Sequence, residues 1–166
     1  MDRGKFLFEK LLPHLDRDDR ILDYCCGLSQ IAEHLVDNYQ YIGFDYDPHV
    51  IRKMNEKFNV GTFDVKDFID IEYEDIDVLL FFRSSFTEYT TKALQRNISK
   101  LKPRIIFMDS CLRKRYTDDI TWHEKDTCGL TEEYTRLNLF LNSIGYRIID
   151  KGKIEDRYYY QIFRTK

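Results

Sequence analysis

The sequence contains neither a long hydrophobic run nor a strong excess of one charge. No apolar stretch approaches the roughly 20 residues that a transmembrane helix needs, so we expect no membrane partner. The net charge of −3 produces no strong overall field and does not by itself indicate a nucleic-acid partner. The chain starts with an amphipathic pattern rather than a signal-peptide core, which predicts a cytoplasmic protein.

Cysteine and histidine are few, and their spacing does not suit a metal. None of the four cysteines forms a C-x-x-C motif, and the four histidines lie at no metal-ligand spacing from them, so we expect no metal site. Reduced thiols are expected. The sequence leaves open a Cys111–Cys128 disulfide, and it leaves open whether Cys25 or Cys26 is a nucleophile or simply a small residue that fits a turn.

Apolar periodicity predicts an alternation of strands and helices in a single domain covering residues 1–166. Strands are predicted at 21–24, 41–44, 60–63, 76–82, 104–108, 146–149 and 158–163, and helices at 5–15, 31–36, 48–58, 87–101 and 131–143. The fully apolar run 76–82 is typical of a central strand that is buried on both faces. The fold class predicted is α/β, a doubly wound and mostly parallel seven-stranded sheet ending in an antiparallel β-hairpin.

The stretch 23–29 connects the first strand to the next helix through a tight turn of small residues. Such a turn presents free backbone N–H groups and the positive end of a helix dipole to a ligand above it. Asp45 lies 18 residues beyond Gly27, at the end of the second strand, where an acidic side chain in nucleotide-binding βαβ units accepts hydrogen bonds from ribose hydroxyls. Together these features predict a site for a nucleoside-containing cofactor.

Residues 23–29, with the sequence Asp-Tyr-Cys-Cys-Gly-Leu-Ser, are similar to the first motif of the class I S-adenosylmethionine-dependent methyltransferases, in which an acidic residue precedes alternating glycines. Leu101-Lys-Pro103 and Gly145-Tyr146 match further landmarks of that family. The resemblance covers nearly the whole chain and implies a Rossmann-like methyltransferase domain. It also implies S-adenosylmethionine as the cofactor, with S-adenosylhomocysteine as the product.

The resemblance assigns a cofactor contact to each motif position. Asp45 matches the ribose-binding acid, Tyr46 the residue that packs on the adenine, and Asp64 with Val65 the pair at the adenine edge. The cofactor-binding residues it implies are Asp23, Tyr24, Cys25, Cys26, Gly27, Asp45, Tyr46, Asp64, Val65, Phe82 and Arg83.

The sequence departs from the family pattern at several positions. Cys25 and Ser29 stand where the first and third motif glycines are common, and Ser29 is expected instead to cap the following helix. Residues 82–85 lack the Asp/Asn-Pro-Pro-aromatic motif of enzymes that methylate exocyclic amines of bases. If the acceptor must lose a proton, Asp109, Tyr116 and His123 are the candidate bases.

The acceptor itself is not predicted: a small molecule, a nucleic acid and a protein side chain are weighed equally, with recognition expected from the loops after the fourth and fifth strands. A homodimer or a partner subunit that supplies specificity is also left open. Two alternative functions compete with a methyltransferase. One is a regulatory subunit that has lost its cofactor, and the other is a different nucleotide-using enzyme, such as an aminopropyl transferase or an NAD-dependent oxidoreductase.

Overall fold

The structure, a computed structural model, describes residues 2–69, 71–82, 87–111, 132–154 and 158–165. The strands are β1 (Arg20–Tyr24), β2 (Gln40–Asp45), β3 (Thr62–Val65), β4 (Val78–Phe81), β5 (Ile105–Cys111), β6 (Tyr146–Ile154) and β7 (Tyr158–Thr165). The helices are α1 (Arg3–Leu11), α2 (Ala32–Leu35), α3 (Pro48–Lys57), α4 (Glu88–Leu101) and α5 (Glu132–Ser143).

The seven strands form one sheet in the order β3-β2-β1-β4-β5-β7-β6. Strands β1 to β5 pair in parallel, whereas β7 pairs antiparallel with both β5 and β6. The predicted fold class, a mostly parallel seven-stranded α/β sheet with a C-terminal antiparallel hairpin, is therefore confirmed. The prediction that the fourth strand is central is also confirmed, because β4 lies between β1 and β5 and all four of its residues are buried.

Apolar side chains fill a core on each face of the sheet. The first core receives Leu7 and Leu11 from α1 together with Ile51 and Met54 from α3. The second core receives its helical side chains from α4 and α5, among them Leu94, Ile98, Tyr134, Leu137 and Leu141. Both faces of the central strands are covered, which is why their sequence is continuously apolar. No helix in the described ranges is both long and apolar enough to cross a membrane.

Several helix boundaries follow the local signals in the sequence. The Asp47 carboxylate accepts a hydrogen bond from the His49 N–H at 2.8 Å, and Pro48 occupies the first position of α3. The Thr87 hydroxyl likewise accepts a hydrogen bond from the Thr90 N–H at the start of α4. Because these capping bonds are local in sequence, both helix starts were predictable from the chain alone.

The structure corrects three predictions of local structure. Ser29 does not cap a helix, since α2 starts at Ala32 without a side-chain cap. The third strand runs from Thr62 to Val65 rather than over 60–63, so Asp64 lies within the strand and not after it. Strand β6 runs to Ile154 and not only over 146–149, so Gly152 lies within it opposite Tyr160, where an added Cβ would approach the Tyr160 ring to 2.9 Å. Here the glycine makes room for a cross-strand aromatic ring.

Helix α1 packs directly against the chain that follows β1. A Cβ placed on Gly4 would lie 2.5 Å from the backbone carbonyl oxygen of Gln30, closer than such atoms ever approach. Helix α1 can therefore pack this close to the Gln30 backbone only because residue 4 has no side chain. This contact fixes the first turn of α1 beside the turn that follows β1.

We predict that Gly4→Ala destabilises the protein. Alanine favours a helix over glycine by about 1 kcal/mol, but overpacking against a backbone atom costs about 1–3 kcal/mol and should dominate. Urea unfolding should give a net loss of up to about 2 kcal/mol. Glu9→Ala, at an exposed position of the same helix, is the matched control and should change stability by less than about 0.5 kcal/mol. An increase in stability for Gly4→Ala would contradict the close packing described here.

Candidate functional site

The parallel strands bring a row of carboxylates to one edge of the sheet. Asp23, Asp45, Asp64 and Asp109 lie in the last three residues of β1, β2, β3 and β5, respectively. The sheet order reverses direction between β1 and β4, and ligands of open α/β sheets bind at the carboxyl edge at such a switch point. The fold therefore places these acidic residues where a ligand site is expected.

The turn after β1 has a backbone conformation that usually requires glycine. Cys25 has a φ of 57° and Gly27 a φ of 53°, both in the left-handed region, while the Cys26 N–H donates to the Phe44 carbonyl at 2.8 Å. Cys25 thus adopts a glycine conformation at a cost of about 1–2 kcal/mol. The cysteine that replaces the motif glycine keeps the geometry of the turn.

The two adjacent cysteines face opposite sides of the sheet. Cys26 belongs to the first core, and the partly buried Cys25 packs against the second. Burial raises the pKa of the Cys26 thiol well above its ordinary value, so this thiol stays protonated at neutral pH. The geometry favours small-residue packing over nucleophilic chemistry for Cys26.

Asp45 connects the turn after β1 to the chain that leaves β2. Its Oδ2 accepts a hydrogen bond from the Gly27 N–H, and its Oδ1 accepts one from the Asp47 N–H, both at 3.0 Å. The residue is only 7% exposed, yet each oxygen keeps a further lone pair for a ligand hydroxyl. The structure therefore brings Gly27 and Asp45 together, as their spacing in the sequence predicts.

Asp23 lies beneath the turn in a buried hydrogen-bond network. Its Oδ2 accepts hydrogen bonds from the Ser29 hydroxyl at 2.6 Å and from the Tyr41 hydroxyl. Burial raises the pKa of Asp23 to about 6, although these two bonds and the nearby positive charge of Arg3 act in the opposite direction. Sequence reasoning missed Ser29 and Tyr41 as partners of Asp23, because no local pattern marks side-chain contacts between two strands and a turn.

Three large, exposed apolar residues lie next to Gly27 or Asp45, along the chain or across the sheet. Leu28 is 58% exposed, Tyr46 74% and Val65 53%. Leu28 directly follows Gly27, Tyr46 directly follows Asp45, and Val65 pairs with Asp45 across β2 and β3. Exposed apolar side chains that gather around a polar group suit a ligand with a flat apolar part and hydroxyl groups.

Two other predicted contact residues place their side chains in the core. Tyr24 is 1% exposed; its hydroxyl donates to the Phe68 carbonyl at 2.5 Å and accepts a bond from Asn97. Phe82 is half-buried and packs edge-on against Phe107, with ring centroids 4.9 Å apart. Tyr24 thus offers a ligand only its backbone, while Phe82 packs against the first core.

Asp109 is fully buried and forms an ion pair with Arg3 from the first turn of α1. The Arg3 guanidinium also lies 5.1 Å from the centroid of the Tyr158 ring. The Arg3 guanidinium therefore engages the Asp109 carboxylate, which makes Asp109 less suited to act as a free base. No sequence signal pointed to Arg3, which lies 106 residues from its partner.

The remaining predictions fall on residues that the structure does not describe. Arg83, Tyr116, His123 and Cys128 lie outside the described residues, as does the side chain of Cys111. Within the described ranges, no group of three or more His, Cys, Asp or Glu side chains has the geometry to hold a metal ion.

The sheet order defines a Rossmann-like α/β domain, and its acidic residues lie at the carboxyl edge where such folds bind nucleotide-type ligands. Residues 15–164 match the family described as methyltransferase domain. This chain therefore belongs to the methyltransferase domain family. The family predicted from the sequence is confirmed. Comparison with curated proteins finds no significant match.

Solved structures share this fold at low sequence identity. Magnesium protoporphyrin IX methyltransferase from Synechocystis PCC 6803, with bound S-adenosylhomocysteine, has a TM-score of 0.76 at 12% identity, covering 99% of this chain and 82% of that chain. A putative S-adenosylmethionine-dependent methyltransferase from Listeria monocytogenes has a TM-score of 0.67 at 14% identity, with 100% of both chains covered. The cyclase SpnF matches with a TM-score of 0.68 at 16% identity, covering 99% of this chain and 81% of that chain. Since that structure is of a cyclase, the shared fold does not define the reaction.

The buried Asp23 carboxylate should make stability depend on pH. Its pKa is about 6 in the folded protein and near 3.8 when unfolded, so the folded state binds the proton more tightly. The Asp23 contribution to stability should therefore fall as pH rises from about 4 to about 6, by on the order of 2–3 kcal/mol. Urea unfolding of the wild type and of Asp23→Asn across this pH range gives two free energies of unfolding, and the wild-type value minus the variant value isolates the Asp23 contribution. If this difference stays constant or rises with pH, the prediction is wrong.

Proposed function

We propose that this chain binds S-adenosylmethionine at the carboxyl edge of β1, β2 and β3 and transfers its methyl group to an acceptor. The observation that carries the proposal is the arrangement around Gly27, where a glycine-type turn, a nearly buried Asp45 carboxylate and exposed apolar side chains meet. A nucleoside needs hydroxyl acceptors beside an apolar surface, and the site offers both.

The residues present fit this cofactor. A Cβ added to Gly27 would meet no atom within 4 Å, so the space above the turn is open. Asp45 would accept hydrogen bonds from the ribose hydroxyls, and Tyr46 and Val65 would cover the adenine faces. Asp64 lies one strand further out, about 5 Å in a parallel sheet, which suits the distance from ribose to base edge. The methionine part of the cofactor would lie beside the backbone of Tyr24, Cys25 and Cys26.

The reaction proposed is direct displacement by a nucleophile of the acceptor. When bound, the cofactor supplies an electrophilic methyl group on a positively charged sulfur. The chain then has to orient this group and exclude water, and the carboxylates of Asp23 and Asp45 favour a cationic ligand. The candidate bases remain Asp109, which is paired with Arg3, and Tyr116 and His123.

The acceptor remains a small molecule, a nucleic acid or a protein side chain. Phe82 directly follows β4, at the same edge of the sheet as the proposed cofactor site, so we assign recognition to the chain after β4, with Arg83, and to the chain after β5. We further propose that residues 1–166 act as a single domain in the cytoplasm. A second copy or a partner subunit would add acceptor specificity.

Asp45→Asn should weaken the binding of S-adenosylhomocysteine at least 10-fold, because the amide nitrogen cannot accept a hydrogen bond from a ribose hydroxyl. Isothermal titration calorimetry measures the affinity directly. Asp77→Asn is the matched control: the Asp77 carboxylate also accepts a backbone hydrogen bond, from the Arg20 N–H at 2.9 Å, but at the amino end of β1. Equal affinity of the two variants would contradict the proposed site.

Gly27→Ala should abolish measurable cofactor binding while costing only about 1–2 kcal/mol of stability. The methyl group would point into the open space above the turn, and only the left-handed backbone would be strained. Gly145→Ala introduces the same kind of strain, since Gly145 has a φ of 96° and also meets no atom within 4 Å. Calorimetry and urea unfolding of both variants separate ligand contact from strain. Similar affinities would indicate that no ligand approaches Gly27.

The same titration distinguishes the alternative functions. If neither S-adenosylmethionine nor S-adenosylhomocysteine binds at millimolar concentration, a regulatory subunit without a cofactor is favoured. Preferential binding of NAD or decarboxylated S-adenosylmethionine favours a different nucleotide-using enzyme. Methyl transfer is then tested with a labelled methyl donor against pools of small molecules, RNA and proteins.

A further inference from the structure

The Asp64 carboxylate is held by a tyrosine from the connection between β3 and β4. The Tyr73 hydroxyl donates a hydrogen bond to Asp64 Oδ2 at 2.7 Å. The two residues are only nine positions apart, but no regular element joins them, since the connection between the strands is irregular over its described residues. The hydrogen bond between Tyr73 and Asp64 therefore depends on the tertiary position of this connection.

The Tyr73 ring is firmly placed. The residue is 9% exposed, and its ring packs against Phe44 with centroids 6.1 Å apart. The Lys66 ammonium lies 4.5 Å from the centroid of the same ring, within the range of a cation–π contact. Burial, followed by the adjacent Asp64 carboxylate, raises the pKa of Tyr73 well above its ordinary value. The hydroxyl thus remains protonated and can donate at neutral pH.

The bond to Tyr73 leaves the second carboxylate oxygen available. Within the described residues, the Asp64 side chain has this one hydrogen bond, and it occupies Oδ2. An ionised carboxylate only accepts hydrogen bonds, so Oδ1 selects a partner that donates. The exocyclic amine of adenine is such a donor, whereas the carbonyl oxygen at the same position of hypoxanthine is not.

We propose that Tyr73 is a positioning residue that aims Asp64 at the adenine amine and thereby selects adenine over purines with a carbonyl at that position. This inference rests on the proposed function, since it assumes that the cofactor base lies at the end of β3. Fixing one carboxylate oxygen removes rotational freedom from the other, so the acceptor is already oriented before the base arrives.

The test uses two ligands that differ in the group facing Asp64. S-adenosylhomocysteine carries the amine, and S-inosylhomocysteine carries a carbonyl at the same position. Calorimetry on the wild type should give at least 10-fold tighter binding of the adenine ligand. Tyr73→Phe should weaken the adenine ligand about 5–10-fold and change the hypoxanthine ligand less than 2-fold, so that the preference for adenine falls.

The controls separate positioning from general damage. Tyr146→Phe removes another tyrosine hydroxyl, which donates to the Pro103 carbonyl just before β5, and should leave both affinities unchanged. Asp64→Asn, which leaves the Tyr73 ring untouched, should also lose the adenine preference, and adding Tyr73→Phe to it should then have little further effect. If Tyr73→Phe unfolds, Asp64→Asn alone carries the test, and an unchanged adenine preference in that variant overturns the inference.

Each outcome supports or overturns the inference. Selective weakening of the adenine ligand supports it. Unchanged affinities in Tyr73→Phe, or equal weakening of both ligands, overturn the role of Tyr73 while leaving the proposed function intact. If the wild type binds neither ligand, the proposed function fails, and the role assigned to Tyr73 fails with it.

Discussion

The Asp45 carboxylate is the constraint on which the site depends, because it ties the turn after β1 to the end of β2 through two backbone N–H groups. The Cys26 to Phe44 backbone bond adds a third connection between the same two segments. Each of the two hydrogen bonds from a backbone N–H to the charged Asp45 carboxylate contributes about 1.5–3 kcal/mol. They hold a left-handed backbone at Cys25 that would otherwise be unfavourable. The shape of the turn is therefore a property of two strands together, and not of residues 23–29 alone.

The surroundings of the second buried carboxylate, Asp23, disfavour its charged form. Asp23 is deeply desolvated, so its charged form is disfavoured even with hydrogen bonds from Ser29 and Tyr41. Its network joins β1, the turn and β2 beneath the proposed cofactor site. A buried charge retained at such a cost is characteristic of functional sites. A cationic ligand bound above it would recover part of that cost by Coulomb attraction.

The fold does not determine which acceptor is used. Solved structures that match this chain include methyltransferases and a cyclase, at 12% to 16% identity for those compared. The proposed cofactor site lies on the ends of β1, β2 and β3, where two backbone N–H groups hold the Asp45 carboxylate. Acceptor recognition is proposed for the chain after β4 and β5, and loops are the segments that vary most among proteins of one fold. In this proposal, cofactor affinity and acceptor choice depend on different segments of the chain.

The sequence by itself determined the order of the elements, the central position of β4 and the closeness of Gly27 to Asp45. These features follow from apolar periodicity, capping residues and the rule that parallel strands end at one edge. Only the tertiary structure decided that Ser29 and Tyr41 bind Asp23, that Arg3 pairs with Asp109 and that Tyr73 holds Asp64. Such contacts depend on side-chain direction and on how loops return to the sheet. No short-range preference of the chain encodes either of them, so they appear only when distant segments pack together.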